Sequence, residues 1–518
     1  MSFFSLSFPS MRQSGLVLDQ NAGFGALTLA SSGGFKPIDT SNNEVALTSY
    51  DSLVSGSLGS YTPSISGGRL VFDLAGAPDG AVLHCSHAGG TVDLTISSEA
   101  DTYSVASQAD WNAVLDLTTA TISGKTIKAR PGTSITSRIA STFDFRNRQF
   151  ASPLTVSSHD TNSKGTWDQF QFRRCSNVVL DGVNITNQDS NHFVMLIEEV
   201  STGCADITVQ NCTMAGIFKD PNGDYSEAGS YGTNSTGVST NGGNHSNITI
   251  YDNLIEDVDK AFNVSATGTI DIQGNEVHRF YRDVCQITWP GASVAVTMSY
   301  NVASQPIGRS DDADNPHVDF LQFIGSATAA ANWASITVEG NRFWQGDARG
   351  TAQFIFMDDM NGSGFYYDNP RIVGNATDIT STHGVTVQQA KDCSQILGNQ
   401  TPNAPVKIGQ GTTTGTHVVK RCIASSYLIA GTPTTESNVE IGVDGTIAQT
   451  FDGDGGSFDA ASLAEFMTMW SIKANGPADI DASGGASVGD AGAIGSGYVT
   501  WPSTVPGRDG SIDTDYDL

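Results

Sequence analysis

Acidic, basic and amide side chains are concentrated in residues 254–262 and 277–286 and again around residue 319. These three segments supply Glu256, Asp257, Asp259, His278, Arg279, Tyr281, Arg282, Asp283, Gln286, His317, Asp319 and Gln322. Two carboxylates can serve as the acid and the base or nucleophile of glycoside hydrolysis, and a base beside a cation suits elimination from a uronate. The set therefore predicts a surface that binds or cleaves polysaccharide. A polar outer turn of a purely structural protein is the alternative.

A short phrase of alternating apolar residues, an asparagine and a turn recurs through residues 178–400. Its asparagines are Asn187, Asn211, Asn253, Asn275, Asn301, Asn341, Asn375 and Asn399. Period-2 alternation predicts short strands with one inward face, and a second apolar phrase precedes each later repeat. Repeated strand units of this length predict an all-β solenoid, a parallel β-helix with an internal asparagine ladder. A β-sandwich is the alternative, but it gives no reason for the repeated phrase.

Two insertions interrupt the repeat and indicate where a ligand would bind. One spans residues 218–237 after Asn211, and the other spans residues 305–319 after Asn301. Both enter at the same corner of the coil and are three coils apart, roughly 14 Å at ~4.8 Å per coil. Such insertions commonly build the binding face of a solenoid, so segments 254–262 and 277–286 would form the floor of a groove.

Within this groove we assign roles to the polar residues by type. The catalytic candidates are Asp259, Asp283 and Asp319. The expected substrate-binding residues are Glu256, Asp257, His278, Arg279, Tyr281, Arg282, Gln286, His317 and Gln322. The matching segments RDVCQI and HVDFLQF share the pattern D-x-x-Q, and an outward amide ladder through Gln286, Gln322 and Gln353 is the alternative to a substrate role for those glutamines.

Composition limits the partners and the compartment. The formal net charge of -28 disfavours nucleic acid and anionic membranes as partners. The seven cysteines show no metal-binding spacing, and we expect buried thiols rather than a disulfide framework. We recognise no signal peptide and no apolar stretch long enough for membrane insertion.

The regions differ in composition along the chain. Residues 1–100 predict a small β-rich domain, residues 101–450 the β-helix, and residues 451–518 a C-terminal helix (459–474) with a tail rich in Gly, Ala and Asp. The spacing of carboxylates near Asp452 and Asp454 is faintly similar to that of a calcium loop, but the glutamate at the twelfth position is missing. No other cofactor is expected.

The start of the predicted β-helix resembles a known superfamily. Residues 107–117 predict an amphipathic helix that begins at Ser107 with Asp110, and the sequence GKTIKARPG follows at 124–132. This order resembles the start of the pectate-lyase-like right-handed parallel β-helix proteins. The resemblance implies that the helix plugs the open end of the solenoid, where unpaired strand edges would otherwise promote aggregation.

The D-x-x-Q pattern resembles the catalytic strand of polygalacturonase-like β-helix enzymes. That resemblance implies catalytic roles for Asp283 and Asp319. The chain departs from the family at Gln286 and Gln322, which occupy acid positions, and Thr382-His383-Gly384 only half matches the family's G-H-G. Polygalacturonase activity itself is therefore not what the sequence predicts.

The order of regions resembles that of bacteriophage tailspike or head-spike proteins. The resemblance implies a homotrimer on the virion surface that contacts other virion structural proteins and recognises host cell-surface polysaccharide. We expect a receptor-binding spike on these grounds. Two alternatives stay open: a polysaccharide depolymerase (glycoside hydrolase or lyase), virion-borne or secreted, and a purely structural virion protein.

Overall fold

The computed structural model describes most of the chain between its first strands and residue 441. The described residues are 5–6, 16–21, 26–29, 34–38, 45–58, 62–71, 82–98, 102–136, 145–158, 163–187, 193–199, 203–216, 235–242, 244–289, 293–306, 317–325, 333–345, 351–357, 366–411, 413–431 and 433–441. The predicted C-terminal helix and tail, and the predicted calcium-loop residues Asp452 and Asp454, lie outside them.

The chain divides into two compact units. The first comprises the chain up to Asp168 together with Ser176–Asn184, and the second comprises Gln169–Cys175 together with the chain from Ile185 onward.

The first unit begins with antiparallel strands. They are β1 (Ser5–Leu6), β2 (Leu16–Asn21), β3 (Ala26–Leu29), β4 (Gly34–Ile38), β5 (Leu47–Ser55), β6 (Ser64–Ser66), β7 (Arg69–Val71), β8 (Val82–His87) and β9 (Gly90–Ser98). They form two sheets in the orders β1-β2-β9-β8-β5 and β3-β4-β7-β6. Leu83, Cys85, Val92 and Leu94 alternate along β8 and β9 and are buried, which gives this part of the chain an apolar core.

Two short helices follow, α1 (Gln108–Leu115) and α2 (Thr119–Ile122). The Ser107 side chain accepts a hydrogen bond from the backbone N–H of Asp110, so α1 starts where the sequence predicts. The fully buried Trp111 of α1 packs edge-on against Phe145 and Trp167, with ring centroids 5.8 Å and 5.5 Å away. That α1 closes the end of a solenoid stays a prediction.

The first strands of the repeating part flank the helices, one before α1 and the others after α2. They are β10 (Thr102–Val105), β11 (Thr126–Ala129), β12 (Ser134–Ile135), β13 (Phe145–Arg146), β14 (Gln149–Ser158), β15 (Thr166–Asp168), β16 (Phe170–Arg173), β17 (Ser176–Asp181) and β18 (Asn184–Thr186). Within the first unit, β10, β11, β14 and β17 pair in parallel in that order.

Most strands of the second unit are short. They are β19 (Met195–Glu199), β20 (Ala205–Gln210), β21 (Thr213–Ala215), β22 (Thr236–Gly242), β23 (Ser246–Tyr251), β24 (Leu254–Val258), β25 (Lys260–Val264), β26 (Thr267–Gln273), β27 (Glu276–Phe280), β28 (Cys285–Thr288), β29 (Val294–Ser299), β30 (Val302–Pro306), β31 (His317–Ile324), β32 (Ser335–Glu339), β33 (Arg342–Trp344), β34 (Thr351–Met357), β35 (Tyr367–Asp368), β36 (Arg371–Val373), β37 (Ala376–Thr377), β38 (Val385–Val387), β39 (Ala390–Lys391), β40 (Gln395–Leu397), β41 (Gln400–Thr401), β42 (Val406–Ile408), β43 (Thr413–Thr414), β44 (Val418–Lys420), β45 (Ile423–Ala424), β46 (Tyr427–Ile429), β47 (Thr434–Glu436) and β48 (Val439–Glu440).

These strands form three long parallel sheets. The first sheet runs β20-β23-β26-β29-β32-β36-β40-β44-β47, the second β21-β24-β27-β30-β33-β37-β41-β45-β48, and the third β16-β19-β22-β25-β28-β31-β34-β38-β42-β46. β35, β39 and β43 form a smaller parallel sheet. The chain visits the three long sheets in turn and each strand pairs with its counterpart one coil later. The protein is therefore all-β, and its long parallel sheets are consistent with a parallel β-helix; the right-handed twist of the coil stays a prediction.

Inward side chains of neighbouring coils stack on one another. In the first sheet Ile248 and Ile250 lie against Ile270 and Ile272 of the next coil, and all four are fully buried. In the third sheet the Phe320 ring lies 5.2 Å from that of Phe354, centroid to centroid. Because each coil covers the apolar face of its neighbours, the short strands are stable only as a stack.

An asparagine ladder occupies the corner between the first and second sheets. Asn253, Asn275, Asn301, Asn341, Asn375 and Asn399 are fully buried at equivalent positions of successive coils. Each Oδ1 from Asn275 to Asn399 accepts from the backbone N–H and from Nδ2 of the preceding ladder asparagine. Each Nδ2 also donates to a backbone carbonyl. The ladder thus satisfies buried backbone groups that have no strand partner at the corner.

The prediction of the ladder is wrong at two asparagines. Cys212 occupies the ladder position in its coil, since its backbone N–H donates to Oδ1 of Asn253. Asn211 precedes that position with φ 55°, a left-handed conformation that asparagine tolerates. Asn187 instead follows β18, and its backbone N–H donates to the carbonyl of Ala215.

All seven cysteines are buried and form no disulfide, as the composition predicts. Among the described residues, no helix has the length and apolar character needed to cross a membrane.

Candidate functional site

The predicted site residues lie where the chain passes from the second sheet to the third. The two predicted insertions fall mostly outside the described residues. Their flanking strands are described, and both insertions lie between a second-sheet strand and a third-sheet strand, β21 to β22 and β30 to β31. The coils between them carry segments 254–262 and 277–286, as the sequence predicts.

Four polar residues are stacked at the edge of the third sheet, one in each of four successive coils. We call Lys260, Asp283, Asp319 and Gln353 the charged column. Nζ of Lys260 lies 2.8 Å from Oδ2 of Asp283. The backbone N–H of Asp319 donates to Oδ1 of Asp283 over 3.3 Å, and Asp319 pairs in register with Gln353. The Asp283 carboxylate therefore contacts the Lys260 ammonium group and accepts a hydrogen bond from the backbone N–H of Asp319.

The two carboxylates of the charged column are strongly buried. Asp283 is 4% exposed and Asp319 is 1% exposed. Equivalent positions in neighbouring strands are about 4.8 Å apart, so the structure places two carboxyl groups together on adjacent coils. This is the pairing that acid–base or nucleophilic chemistry on a glycoside requires.

Beside the charged column a row of amides runs along the outer face of the third sheet. We call Asn263, Gln286 and Gln322 the amide row, because they pair in register across β25, β28 and β31. Nε2 of Gln286 donates to Oε1 of Gln322 over 2.9 Å, and Oε1 of Gln286 accepts from Nζ of Lys260 over 3.1 Å. Phe356 takes the next position in the row.

The amide row confirms part of the predicted amide ladder. Gln353 does not belong to it, because Gln353 pairs with Asp319 and so lies in the charged column. An aromatic ring, Phe356, stands where a third glutamine was expected. That ring lies edge-on to the ring of His383 at 4.9 Å between centroids.

Two further sets of ion pairs cover the corner itself. Nε of Arg279 donates to Asp257 over 2.8 Å, and its NH2 group lies 3.1 Å from Oε1 of Glu256. Nε of Arg282 lies 3.3 Å from Oδ1 of Asp259. Both arginines at this corner therefore already have carboxylate partners.

Tyr281 is buried beneath this surface at 3% exposed, and the Arg282 guanidinium lies 6.0 Å from its ring centroid. The structure thus gives Tyr281 a supporting position rather than a place on the outer surface.

The structure places His278 away from the charged column. It lies on the second sheet in register with Glu256 and Ser304, and it is fully buried. Nδ1 of His278 lies 2.6 Å from the Ser304 hydroxyl, and Nε2 lies 3.6 Å from Oε2 of Glu276. His317 begins β31, but its side chain is not among those described.

Lys260, Asn263 and Phe356 belong to the site but were not predicted from the sequence. The signal was present in the second apolar phrase of each coil. Aligning the phrases by their inward residues places Lys260 above Asp283 and Asn263 above Gln286.

Within the described residues, no group of three or more His, Cys, Asp or Glu side chains could hold a metal ion.

No protein-family model matches the chain, and no curated protein sequence matches it. Among solved structures, it is similar to an alginate lyase from Paenibacillus sp. str. FPU-7, with a TM-score of 0.29 and 9% identity over 65% of this chain and 97% of that chain. A mannuronic-acid-specific polysaccharide family 6 lyase from human gut microbiota gives a TM-score of 0.32 and 11% identity over 65% of this chain and 82% of that chain.

The catalytic domain of a GH87 α-1,3-glucanase gives a TM-score of 0.23 and 10% identity over 84% of this chain and 91% of that chain. At such identities and TM-scores these likenesses carry no conclusion about what this chain binds or cleaves.

Proposed function

We propose that this protein recognises an uncharged polysaccharide along the outer face of the third sheet, at the amide row and the adjoining charged column. The observation that carries the proposal is the in-register stacking of Gln286 on Gln322, continued by Phe356.

The amide row suits a sugar chain chemically. Each glutamine amide has two N–H donors and two acceptor lone pairs, and the bond from Gln286 to Gln322 uses one donor and one acceptor. The remaining capacity of the half-buried amides can bind sugar hydroxyls, which both donate and accept. An aromatic ring at the end of the row adds an apolar surface for a sugar ring. A row that repeats once per coil can bind successive units of a polymer.

Charge at the site favours an uncharged ligand. Within the coils of β24 to β31, the described cations Lys260, Arg279 and Arg282 each lie within ion-pair distance of a carboxylate. Asp319 adds a further acidic side chain, and the chain as a whole has a formal charge of -28. A uronate polymer would therefore meet repulsion rather than an unsatisfied cation. Elimination from a uronate, which needs a cation to neutralise the sugar carboxylate, is correspondingly disfavoured.

A second candidate function, hydrolysis of the same polysaccharide, is favoured by the stacking of Asp283 and Asp319. The two residues occupy equivalent positions of adjacent coils, and glycosidases that retain configuration bring two carboxyl groups close together across the scissile bond. Asp283, beside the Lys260 ammonium, suits the nucleophile or base. Asp319, nearly inaccessible to water, suits the acid.

For the biological setting we propose a virion spike, as a homotrimer. Its support is the order of regions in the chain, in which antiparallel strands precede a parallel stack of coils. A secreted polysaccharide-binding or polysaccharide-degrading protein is the alternative. Sedimentation of the purified protein distinguishes the two, since a monomer at micromolar concentration would contradict the spike.

The test of the proposed function is a binding and turnover assay on the intact protein with paired polysaccharides. Each uncharged polymer is matched with an acidic one of similar size, and binding is measured by affinity electrophoresis while product size is followed. We expect retardation by uncharged polymers that persists in high salt. Binding only to acidic polymers, lost on adding salt, would overturn the proposal, as would binding that survives Gln286→Ala and Gln322→Ala together.

A further inference from the structure

Two cysteines and a histidine are stacked in the second unit, far in sequence from the charged column. Cys175, Cys204 and His245 occupy equivalent positions of successive coils, because Ala205 donates its backbone N–H to Cys175 and Ser246 donates its own to Cys204. All three stacked residues are fully buried.

The two sulfurs are in contact. Sγ of Cys175 donates to Sγ of Cys204 over 3.8 Å. The backbone N–H of Cys204 donates to Nδ1 of His245 over 3.1 Å, and Nε2 of His245 lies 3.3 Å from the carbonyl of Asn241. These two bonds fix the imidazole with its proton on Nε2 and its lone pair towards Cys204.

From this geometry we infer that Cys175 and Cys204 form a disulfide between neighbouring coils when the protein meets a small disulfide oxidant such as oxidised glutathione. Neighbouring parallel strands place equivalent Cα atoms about 4.8 Å apart, inside the range of roughly 4.4–6.8 Å that disulfides span. Rotation of the two side chains is enough to bring the sulfurs within bonding distance. The inference does not depend on the proposed function.

The thiol–disulfide exchange depends on the different pKa values of the two thiols. The hydrogen bond from Cys175 lowers the pKa of Cys204, against the effect of burial. Cys204 is therefore the thiolate that attacks one sulfur of oxidised glutathione, and the glutathione S–S bond breaks with release of one glutathione thiolate. That thiolate takes the proton of Cys175. The sulfur of Cys175 then attacks Sγ of Cys204 and expels the second glutathione thiolate, so two protein thiols are oxidised and one glutathione disulfide is reduced.

Cys393, which also contacts a histidine of the next coil, provides a matched control. The backbone N–H of Cys393 donates to Nδ1 of His417 over 3.3 Å, so Cys393 has the same arrangement with a histidine in the next coil but no stacked thiol. Burial raises the pKa of Cys393 to about 12. The thiol of Cys175, rather than the histidine alone, therefore distinguishes Cys204.

The test is thiol mapping of the intact protein. The wild type is incubated with oxidised glutathione until its thiol content is constant, alkylated under denaturing conditions and digested for mass spectrometry. We expect one peptide pair that joins Cys175 to Cys204 with the loss of two hydrogen atoms, and alkylation of the other five cysteines. Cys204→Ser and Cys175→Ser abolish the cross-link, and Cys393→Ser leaves it unchanged.

Three outcomes would overturn the inference. They are alkylation of both Cys175 and Cys204 at the end of the incubation, a cross-link between other cysteines, and glutathione retained on Cys204 as the final product. Because the first measurement uses the wild type, it does not depend on the folding of any variant. Circular dichroism before and after oxidation checks that the coils stay folded.

Discussion

The backbone N–H of Asp319 donates a hydrogen bond to the side chain of Asp283 across two neighbouring coils, over 3.3 Å. On its other side Asp283 contacts the ammonium group of Lys260 at 2.8 Å. One carboxylate thus receives a cation from the coil before it and an amide from the coil after it. The second carboxylate, on Asp319, is held one coil further along. A parallel stack of strands produces this arrangement directly, because equivalent positions lie above one another.

If the protein hydrolyses its ligand, this pair carries the chemistry. Asp283→Asn and Asp319→Asn should each reduce turnover of the polysaccharide by about 10²-fold or more, since each removes a group that transfers a proton or attacks the sugar. Binding should change much less, because both variants keep the amide row. The measurement is product size against time, together with affinity electrophoresis on the same samples.

A matched control for these variants is Asp271→Asn on the outer face of the first sheet, where Asp271 contacts Tyr251 and Gln273. This change should leave turnover unaltered. If Asp283→Asn and Asp319→Asn hydrolyse the polysaccharide as fast as the wild type, neither residue acts in catalysis. A wild type that binds without shortening the polymer would leave recognition as the function.

The amide row should contribute to affinity rather than to stability. Gln322→Ala removes the outward amide that lies between Gln286 and Phe356, and the loss of one or two hydrogen bonds to the ligand should weaken binding about tenfold, or roughly 1.4 kcal/mol. The midpoint of urea unfolding should move little, because Gln322 is only half-buried. Gln395→Ala on the first sheet is the control and should leave affinity unchanged. A similar loss of affinity in Gln395→Ala would show that the effect is not local.

The ladder can be predicted from the sequence because its asparagines repeat with the strands. The prediction is wrong at Asn211 because the ladder position is defined by backbone conformation and not by residue type. The ladder residue follows a residue with positive φ, such as Asp252 at 51° and Tyr300 at 57°. Cysteine can fill the same position, as Cys422 does by accepting the backbone N–H of Asn399 with its sulfur. A search for asparagine alone therefore selects Asn211 in place of Cys212.

The candidate site was predicted less completely, since sequence proximity does not fix which face a side chain occupies. His278 and Asp283 are five residues apart, yet His278 lies within β27 of the second sheet and Asp283 lies just before β28 of the third. The partner of Lys260 is Asp283 in the next coil, so only the register of β25 on β28 shows that the two side chains meet. Ion pairs between coils depend on the register of the stacked strands, and neither composition nor short motifs predict that register.

The interior of the ladder should be much more sensitive to substitution than exposed turns. Asn301 accepts two hydrogen bonds from Asn275, and its Nδ2 donates to Ile272 and Asn341. Asn301→Ala leaves buried donors and an acceptor without partners, so we expect a loss of about 2–4 kcal/mol in the free energy of unfolding. Urea unfolding followed by circular dichroism measures it.

The control for the ladder is Asn147→Gly, at an exposed bend where Asn147 has φ 57°. Glycine adopts this conformation without strain, so the change should cost well under 1 kcal/mol. Equal costs in Asn147→Gly and Asn301→Ala would mean that the ladder does not stabilise the coils.

The thiol pair should make stability depend on pH under reducing conditions. The hydrogen bond from Cys175 outweighs the opposing effect of burial and lowers the pKa of Cys204 from its ordinary value of 9.0 to about 5. Burial and the neighbouring sulfur raise the pKa of Cys175. Between the folded and unfolded values of Cys204, the folded pair therefore binds one proton fewer than the two thiols of the unfolded chain.

The sign of the effect follows from that proton count. A group whose pKa is depressed by folding stabilises the protein above its unfolded pKa, and this contribution is lost as the pH falls towards the folded pKa. The urea midpoint of the reduced wild type should therefore rise between about pH 6 and about pH 8, by an amount of the order of 1 kcal/mol in unfolding free energy.

Cys204→Ala should remove this rise relative to the wild type. Cys393→Ala should keep it, because the pKa of Cys393 is raised by burial and its contribution is constant below the unfolded pKa. A wild-type midpoint that rises no more than that of Cys204→Ala would show that Cys204 is protonated in the folded protein, and the polarised thiol pair would then be wrong.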